Sequence, residues 1–369
     1  MSDWWQLENA DALETPALLV SPAVIARNLD RTIADAGGPD RLWPHVKTHK
    51  LAPVLRMCRE RGVTKFKCAT LAEVQMCAVA GAERVLLAMA VTGANLAALQ
   101  DLARAFPQTR FASVADCWAH LNALEAAASP GEKLEVFLDV NCGMNRTGIA
   151  PDATAEALWH SLCSRPSLFA AGLHAYDGHI KEGATEELAA QVTESFAPLR
   201  ALREKLAPPL VIAGGTPSFP FHAARGDVAV SPGTTALWSW CIAEMCPEMR
   251  GYEYAAVLAA RVVSRPTPQR LTLDLGHKAV AAENPLSRRV KFPELPDAVV
   301  VGHSEEHLVL ETARAAEFPP GTLLYGHPWH ICPTVALHSH VAVVENHHIT
   351  GRWSVTARHR YSALPLLDS

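Results

Sequence analysis

The 369-residue chain has no basic block, no charged tail and no apolar run long enough to span a bilayer. Its formal net charge is -5, so it lacks the electrostatic footprint of a nucleic-acid binder. The opening Met1-Ser-Asp-Trp-Trp-Gln has no basic start followed by an apolar core, so neither an export signal nor a membrane partner is expected. The expected location is the cytoplasm. No C-x-x-C pair occurs among the nine cysteines, and an odd count without paired spacing argues against a disulfide framework. Most of these cysteines lie in apolar patterns, as Cys77 does, where a thiol packs as a small core residue. Internal repeats and low-complexity segments are also missing.

What is present is a rhythm. From about Pro16 to Leu237, short apolar or β-branched runs alternate with longer helical patterns. Strands are expected at Ala17–Val20, Leu42–Val46, Lys65–Ala69, Arg84–Ala88, Arg110–Val114, Leu134–Val140, Leu168–Tyr176, Leu210–Ala213 and Asp227–Val230. Roughly eight βα repeats over a little more than 200 residues match the size of a parallel (β/α)8 TIM-type barrel, with a doubly wound open sheet as the alternative. After about residue 247 the pattern changes to consecutive strands, including one at Ile331–Leu337, separated by turns. The fold class is therefore α/β, a barrel over 16–246 plus a C-terminal β domain over 247–369 joined by residues 1–15. The joint falls at Cys246-Pro-Glu-Met-Arg-Gly.

In a barrel, chemistry sits at the C-terminal ends of strands. Lys47 follows one such strand in Pro44-His-Val-Lys-Thr-His-Lys50. A desolvated lysine with positive neighbours becomes a nucleophilic amine able to capture a carbonyl, although a solvated basic loop is the plainer account of a lone lysine. Arg146 follows another strand in Asp139-Val-Asn-Cys-Gly-Met-Asn-Arg-Thr-Gly148, and Tyr176 and His179 follow a third in Gly172-Leu-His-Ala-Tyr-Asp-Gly-His179. Two small-residue turns, Gly214-Gly-Thr216 and Ser231-Pro-Gly-Thr234, succeed the last strands, where Gly215, Thr216, Gly233 and Thr234 could receive a phosphate. In the β domain, His330 and Cys332 lie two apart, on one face if that segment is a strand. Imidazole with thiolate favours Zn²⁺, with Mn²⁺ or Mg²⁺ as alternatives. By spacing alone, a buried thiol beside a histidine explains the pair more simply, and His338-Ser-His340 rivals it.

These motifs, in this order, resemble the fold-type III pyridoxal 5′-phosphate (PLP) enzymes, specifically the D-threonine aldolase and D-serine dehydratase branch of the alanine racemase-like superfamily. The resemblance implies that Lys47 carries PLP as an imine and that Arg146 meets its phenolic oxygen. It further implies that Tyr176 packs on the ring, that His179 is a nearby acid–base group, and that Gly215, Thr216, Gly233 and Thr234 hold the phosphate. His330 and Cys332 match the positions of divalent-metal ligands. Ser231 stands where alanine racemases carry an arginine facing the pyridine nitrogen, and no racemase-type catalytic tyrosine is found in the β domain, so a racemase loses ground. Trp329 and Ala336 replace expected asparagines. Ser304-Glu-Glu-His307 resembles another family segment whose role stays open. The implied activity is a PLP- and metal-dependent lyase acting on a D-3-hydroxy amino acid, by retro-aldol cleavage to glycine and an aldehyde. Dehydration of D-serine or D-3-hydroxyaspartate, to a keto acid and ammonia, stands nearly level. A non-catalytic PLP-binding protein is the third reading. A homodimer is implied by the family.

Overall fold

The computed structural model describes residues 3–128, 134–181, 183, 185–247 and 249–361. Glu248, inside the expected joint, lies outside the described residues, as do both chain ends. By contacts, the described chain divides into a barrel unit, comprising Thr32–Lys47, Val54–Gly233 and the described residues from His359 on, and a β unit, comprising residues up to Arg31, Thr48–Pro53 and Thr234–Arg358.

In the barrel unit, seven parallel strands follow one another in chain order: Lys65–Cys68, Arg84–Leu87, Arg110–Ala115, Leu134–Val140, Leu168–Ala175, Val211–Ala213 and Ala229–Val230. The Leu42–Val46 stretch closes the ring through parallel bridges from Leu42 to Val230 and from His45 to Lys67. Trp43 donates its N–H to the Val230 carbonyl at 2.9 Å, and Val46 donates to Lys67 at 3.0 Å. Pro44 has no N–H to give, which limits this eighth member to isolated bridges. The interior is filled rather than hollow, with Trp43, Leu86, Ala112, Val114, Phe137, Ala171, Ile212 and Ala229 forming one buried cluster. The expected barrel and β domain are both found.

Three differences from the sequence expectation stand out. Ala17–Val20 belongs to the β unit, pairing antiparallel with Ala256–Thr267 and parallel with His340–Glu345. A four-residue apolar run satisfies either sheet, so periodicity could not assign it. The segment Ile331–Leu337 is a helix, not a strand. Pro333 explains this, because proline is tolerated in the first turn of a helix but breaks a strand ladder. The short helix Trp240–Met245 was not expected from the sequence. Among the described residues, no helix is long and apolar enough to cross a membrane.

Candidate active site

The C-terminal ends of the barrel strands and the loops after them bring three side chains around one aromatic ring. Lys47 Nζ lies 5.5 Å from the Tyr176 ring centroid, the Arg146 guanidinium 5.0 Å and Lys67 Nζ 5.6 Å. Lys47, Arg146 and Tyr176 are the residues named as candidates from the sequence. Lys67 is not among them, although its position at a barrel-strand end was the signal already used for Lys47.

Backbone geometry holds the Arg146 loop. Asn141 Oδ1 accepts from the amides of Gly143 (3.0 Å) and Asn145 (3.1 Å), while Gly148 donates to Asp116 Oδ2 at 3.0 Å. Gly148 has φ +97°, and a Cβ there would stand 2.6 Å from the Asn141 nitrogen, so only glycine fits. His179 is exposed and packs over Gly143, whose missing Cβ would lie 3.0 Å from its Nε2.

Asp139 and His174 form a buried pair with Oδ1 and Nδ1 2.7 Å apart. Burial pushes the Asp139 carboxyl up, but the hydrogen bond and charge of His174 outweigh it and hold the acid below its ordinary value. Burial also keeps the His174 imidazole below its own. The pair is thus a carboxylate with a neutral histidine. Lys67 sits among these groups, 1% exposed, and burial together with the charges of Lys47 and Arg146 pushes its amine down to about 7, against the pull of Asp177 and Asp139.

The first small-residue turn is pinned by a network that the sequence does not announce. Asp177 Oδ1 accepts from the Gly215 amide (3.1 Å) and the Ser218 hydroxyl (2.7 Å), and Asp177 Oδ2 pairs with His222 Nε2 at 2.7 Å. The Gly215 amide also meets Ser218 Oγ at 3.0 Å, so it is already occupied within the protein. Gly233, in the second turn, donates to Thr216 Oγ1 at 3.2 Å, which draws the two turns together. Ser231 donates its hydroxyl to the Trp43 carbonyl at 2.7 Å, tying these two strand ends together.

Replacing Asp177 with alanine strands a buried histidine, a hydroxyl and an amide, and should cost about 3 kcal/mol of stability at neutral pH. The Asp177 carboxyl is pushed up by burial but held lower still by His222, below its ordinary value of about 3.9. A depressed acid stabilises the fold above its unfolded value, and this contribution vanishes as pH falls through the folded one. Denaturant midpoints should therefore separate the native protein from Asp177→Ala at neutral pH and converge in acid.

In the β unit, His330 is the residue preceding the helix Ile331–Leu337, and Cys332 lies in its first turn. The same-strand geometry expected for them is replaced by a helix start, which still brings imidazole and thiol into hydrogen-bond contact. His330 Nδ1 also meets Glu283 Oε1 at 2.5 Å. Burial works against the His330 cation, but the Cys332 and Glu283 contacts outweigh it and push the imidazole up to about 9. Thr48, the residue after Lys47, places Oγ1 3.1 Å from Cys332 Sγ, and Thr234 Oγ1 lies 3.9 Å from it. Thr334 braces the turn, donating to the His330 carbonyl at 2.8 Å and accepting from the Ala281 amide at 3.2 Å. A carboxylate on Nδ1 is the usual arrangement behind a metal-binding histidine, and a metal ion at Nε2 would displace the proton there. The donor set fits a divalent ion. In the rival pair, His338 Nε2 bonds the Ala279 carbonyl at 2.8 Å and His340 Nδ1 meets Ser339 Oγ at 3.0 Å. Ser304–His307 forms a turn closed by the Ser304 amide on the His307 carbonyl, and Glu305 and Glu306 pair with Lys278 at 2.7 and 3.1 Å.

A family model described as "Alanine racemase, N-terminal domain" matches residues 20–237. The chain belongs to that family. A second, described as "Putative serine dehydratase domain", matches residues 255–344. Among curated proteins, the chain is similar to D-threonine aldolase of Arthrobacter sp, 29% identical over 94% of this chain and 93% of the relative. It is also similar to D-threo-3-hydroxyaspartate dehydratase of Delftia sp. (strain HT23), 26% identical over 88% of this chain and 92% of the relative. Among solved structures, D-threonine aldolase from Filomicrobium marinum superposes with a TM-score of 0.86 at 26% identity, covering 95% of this chain and 97% of that one. Full-length similarity to lyases of this family thus accompanies the racemase-type barrel.

Proposed function

We propose that the protein is a PLP- and divalent-metal-dependent lyase that cleaves a D-configured 3-hydroxy amino acid to glycine and an aldehyde. The observation that carries this is the convergence of Lys47 and Arg146 on the Tyr176 ring. A cup with an amine, a fixed cation and an aromatic face fits PLP. When bound, PLP supplies an electron sink for charge developing at the substrate's Cα.

Lys47 would hold the cofactor covalently, Arg146 would donate to its phenolic oxygen, and Tyr176 would cover its ring. Thr216, Gly233, Thr234 and the Gly215 turn would receive the phosphate. His330 and Cys332 would hold the divalent ion, Zn²⁺ first by donor type, which supplies Lewis acidity toward the β-hydroxyl. His179 would take the hydroxyl proton as Cα–Cβ breaks, and Cα regains a proton to leave glycine. The second reading is dehydration, in which the Cα proton and the β-hydroxyl depart and hydrolysis then gives a keto acid and ammonia. The thiol of Cys332, rather than a carboxylate, at the metal favours it, because the resemblance associates a histidine–cysteine pair with the dehydratases. The protein would act in the cytoplasm as a homodimer.

Incubating protein loaded with PLP and metal with D-threonine and with D-3-hydroxyaspartate decides between them. Glycine with an aldehyde is expected; a keto acid with ammonia would make dehydration the activity. Neither pair of products, from protein that still binds PLP, would overturn the lyase and leave a carrier.

A further inference from the structure

We propose that Lys67 is a second chargeable amine of the cofactor cup, a positioning residue whose positive charge sets the protonation of the imine held on Lys47. This rests on the PLP assignment above and assigns a role to a residue that assignment does not use.

The argument begins with placement. Lys67 is the penultimate residue of the strand Lys65–Cys68, and its backbone is hydrogen-bonded to the Lys47 segment on both sides, accepting from the Val46 amide and donating to the Pro44 carbonyl, each at 3.0 Å. Its Nζ and that of Lys47 stand at nearly the same distance from the Tyr176 ring, 5.6 and 5.5 Å. Among the described residues Lys67 makes no ion pair, although it is 1% exposed. A lysine buried for stability alone is normally matched by a carboxylate. Here the two acids that act on it, Asp139 and Asp177, are already bound to His174 and His222. Its other charged neighbours are Lys47 and Arg146, and it acts in turn on His174. Arg84, on the adjoining strand, is turned to Glu135 at 2.5 Å. The protein therefore keeps an unpaired amine inside the cup, and burial with Lys47's charge brings it to about 7, where a small pH change alters its charge.

A cation at this place disfavours a second positive charge on the Lys47 nitrogen, whatever its other contacts. Lys67→Met removes the charge and Lys67→Arg makes it permanent. The full chain is reconstituted with PLP without metal, and the absorbance of the lysine-bound chromophore is titrated against pH. The midpoint in Lys67→Met should lie about 1 unit or more above that in Lys67→Arg, with the native protein between or level with one of them. Coinciding midpoints would overturn the proposal while leaving the PLP assignment intact. If Lys67→Met does not fold, a Lys67→Arg midpoint above the native one overturns it equally. Native protein with no such chromophore would overturn the proposal and the PLP assignment together.

Discussion

Lys47→Ala should lower turnover of the 3-hydroxy amino acid by at least about 10³-fold and remove the PLP–lysine chromophore, with the fold retained. Lys47 is half-buried at the end of the stretch that closes the barrel, and its amine is not part of the ladder that holds that stretch. Its removal should therefore delete the proposed covalent attachment and little else. Lys67 remains at 5.6 Å from the same ring, yet it emerges from the neighbouring strand and should not substitute. Circular dichroism close to that of the native protein, with PLP retained only loosely, is the matching structural result. Turnover within tenfold of native would show that Lys47 is not the attachment point.

The second large effect belongs to the proposed metal donors, His330 and Cys332. Cys332→Ala or His330→Ala should each reduce turnover by about 10² to 10³-fold, since a Lewis acid contributes several kcal/mol to such a step. The PLP chromophore should persist in both, which separates this loss from that of Lys47→Ala. A chelator should bring the native protein to the level of the variants and leave the variants unchanged, because both treatments remove the same interaction. Glu283→Gln, which keeps the shape of the His330 partner but removes its charge, should weaken metal affinity about 10 to 100-fold and be rescued by excess metal. Variants with native turnover, or native protein indifferent to the chelator, would remove the metal from the reaction.

Much of the barrel was legible because its strands are buried on both faces and its helices are amphipathic. The strand Leu134–Val140 has the bounds that its pattern implies. Legibility failed where one local pattern serves two environments. Ala17–Val20 reads the same in either sheet, and Ile331–Leu337 reads as a strand unless the position of Pro333 is given more weight than its apolar neighbours. In the candidate site, the residues marked by their own motifs, Lys47, Arg146 and Tyr176, are ones that the fold brings together. Residues that act through distant partners were not marked in this way: His222 lies 45 positions from Asp177, and Glu283 lies 47 from His330. Lys67 was hidden differently, since Lys65-Phe-Lys-Cys looks like an ordinary edge of charge until the strand is seen to close against Pro44 and Val46.

Borohydride reduction of the PLP-loaded protein, followed by proteolysis and mapping of the labelled peptide, tests the central claim most directly. The expected result is a single pyridoxyl-lysine at Lys47. No labelled peptide, or a label confined to any other lysine, Lys67 included, would contradict it.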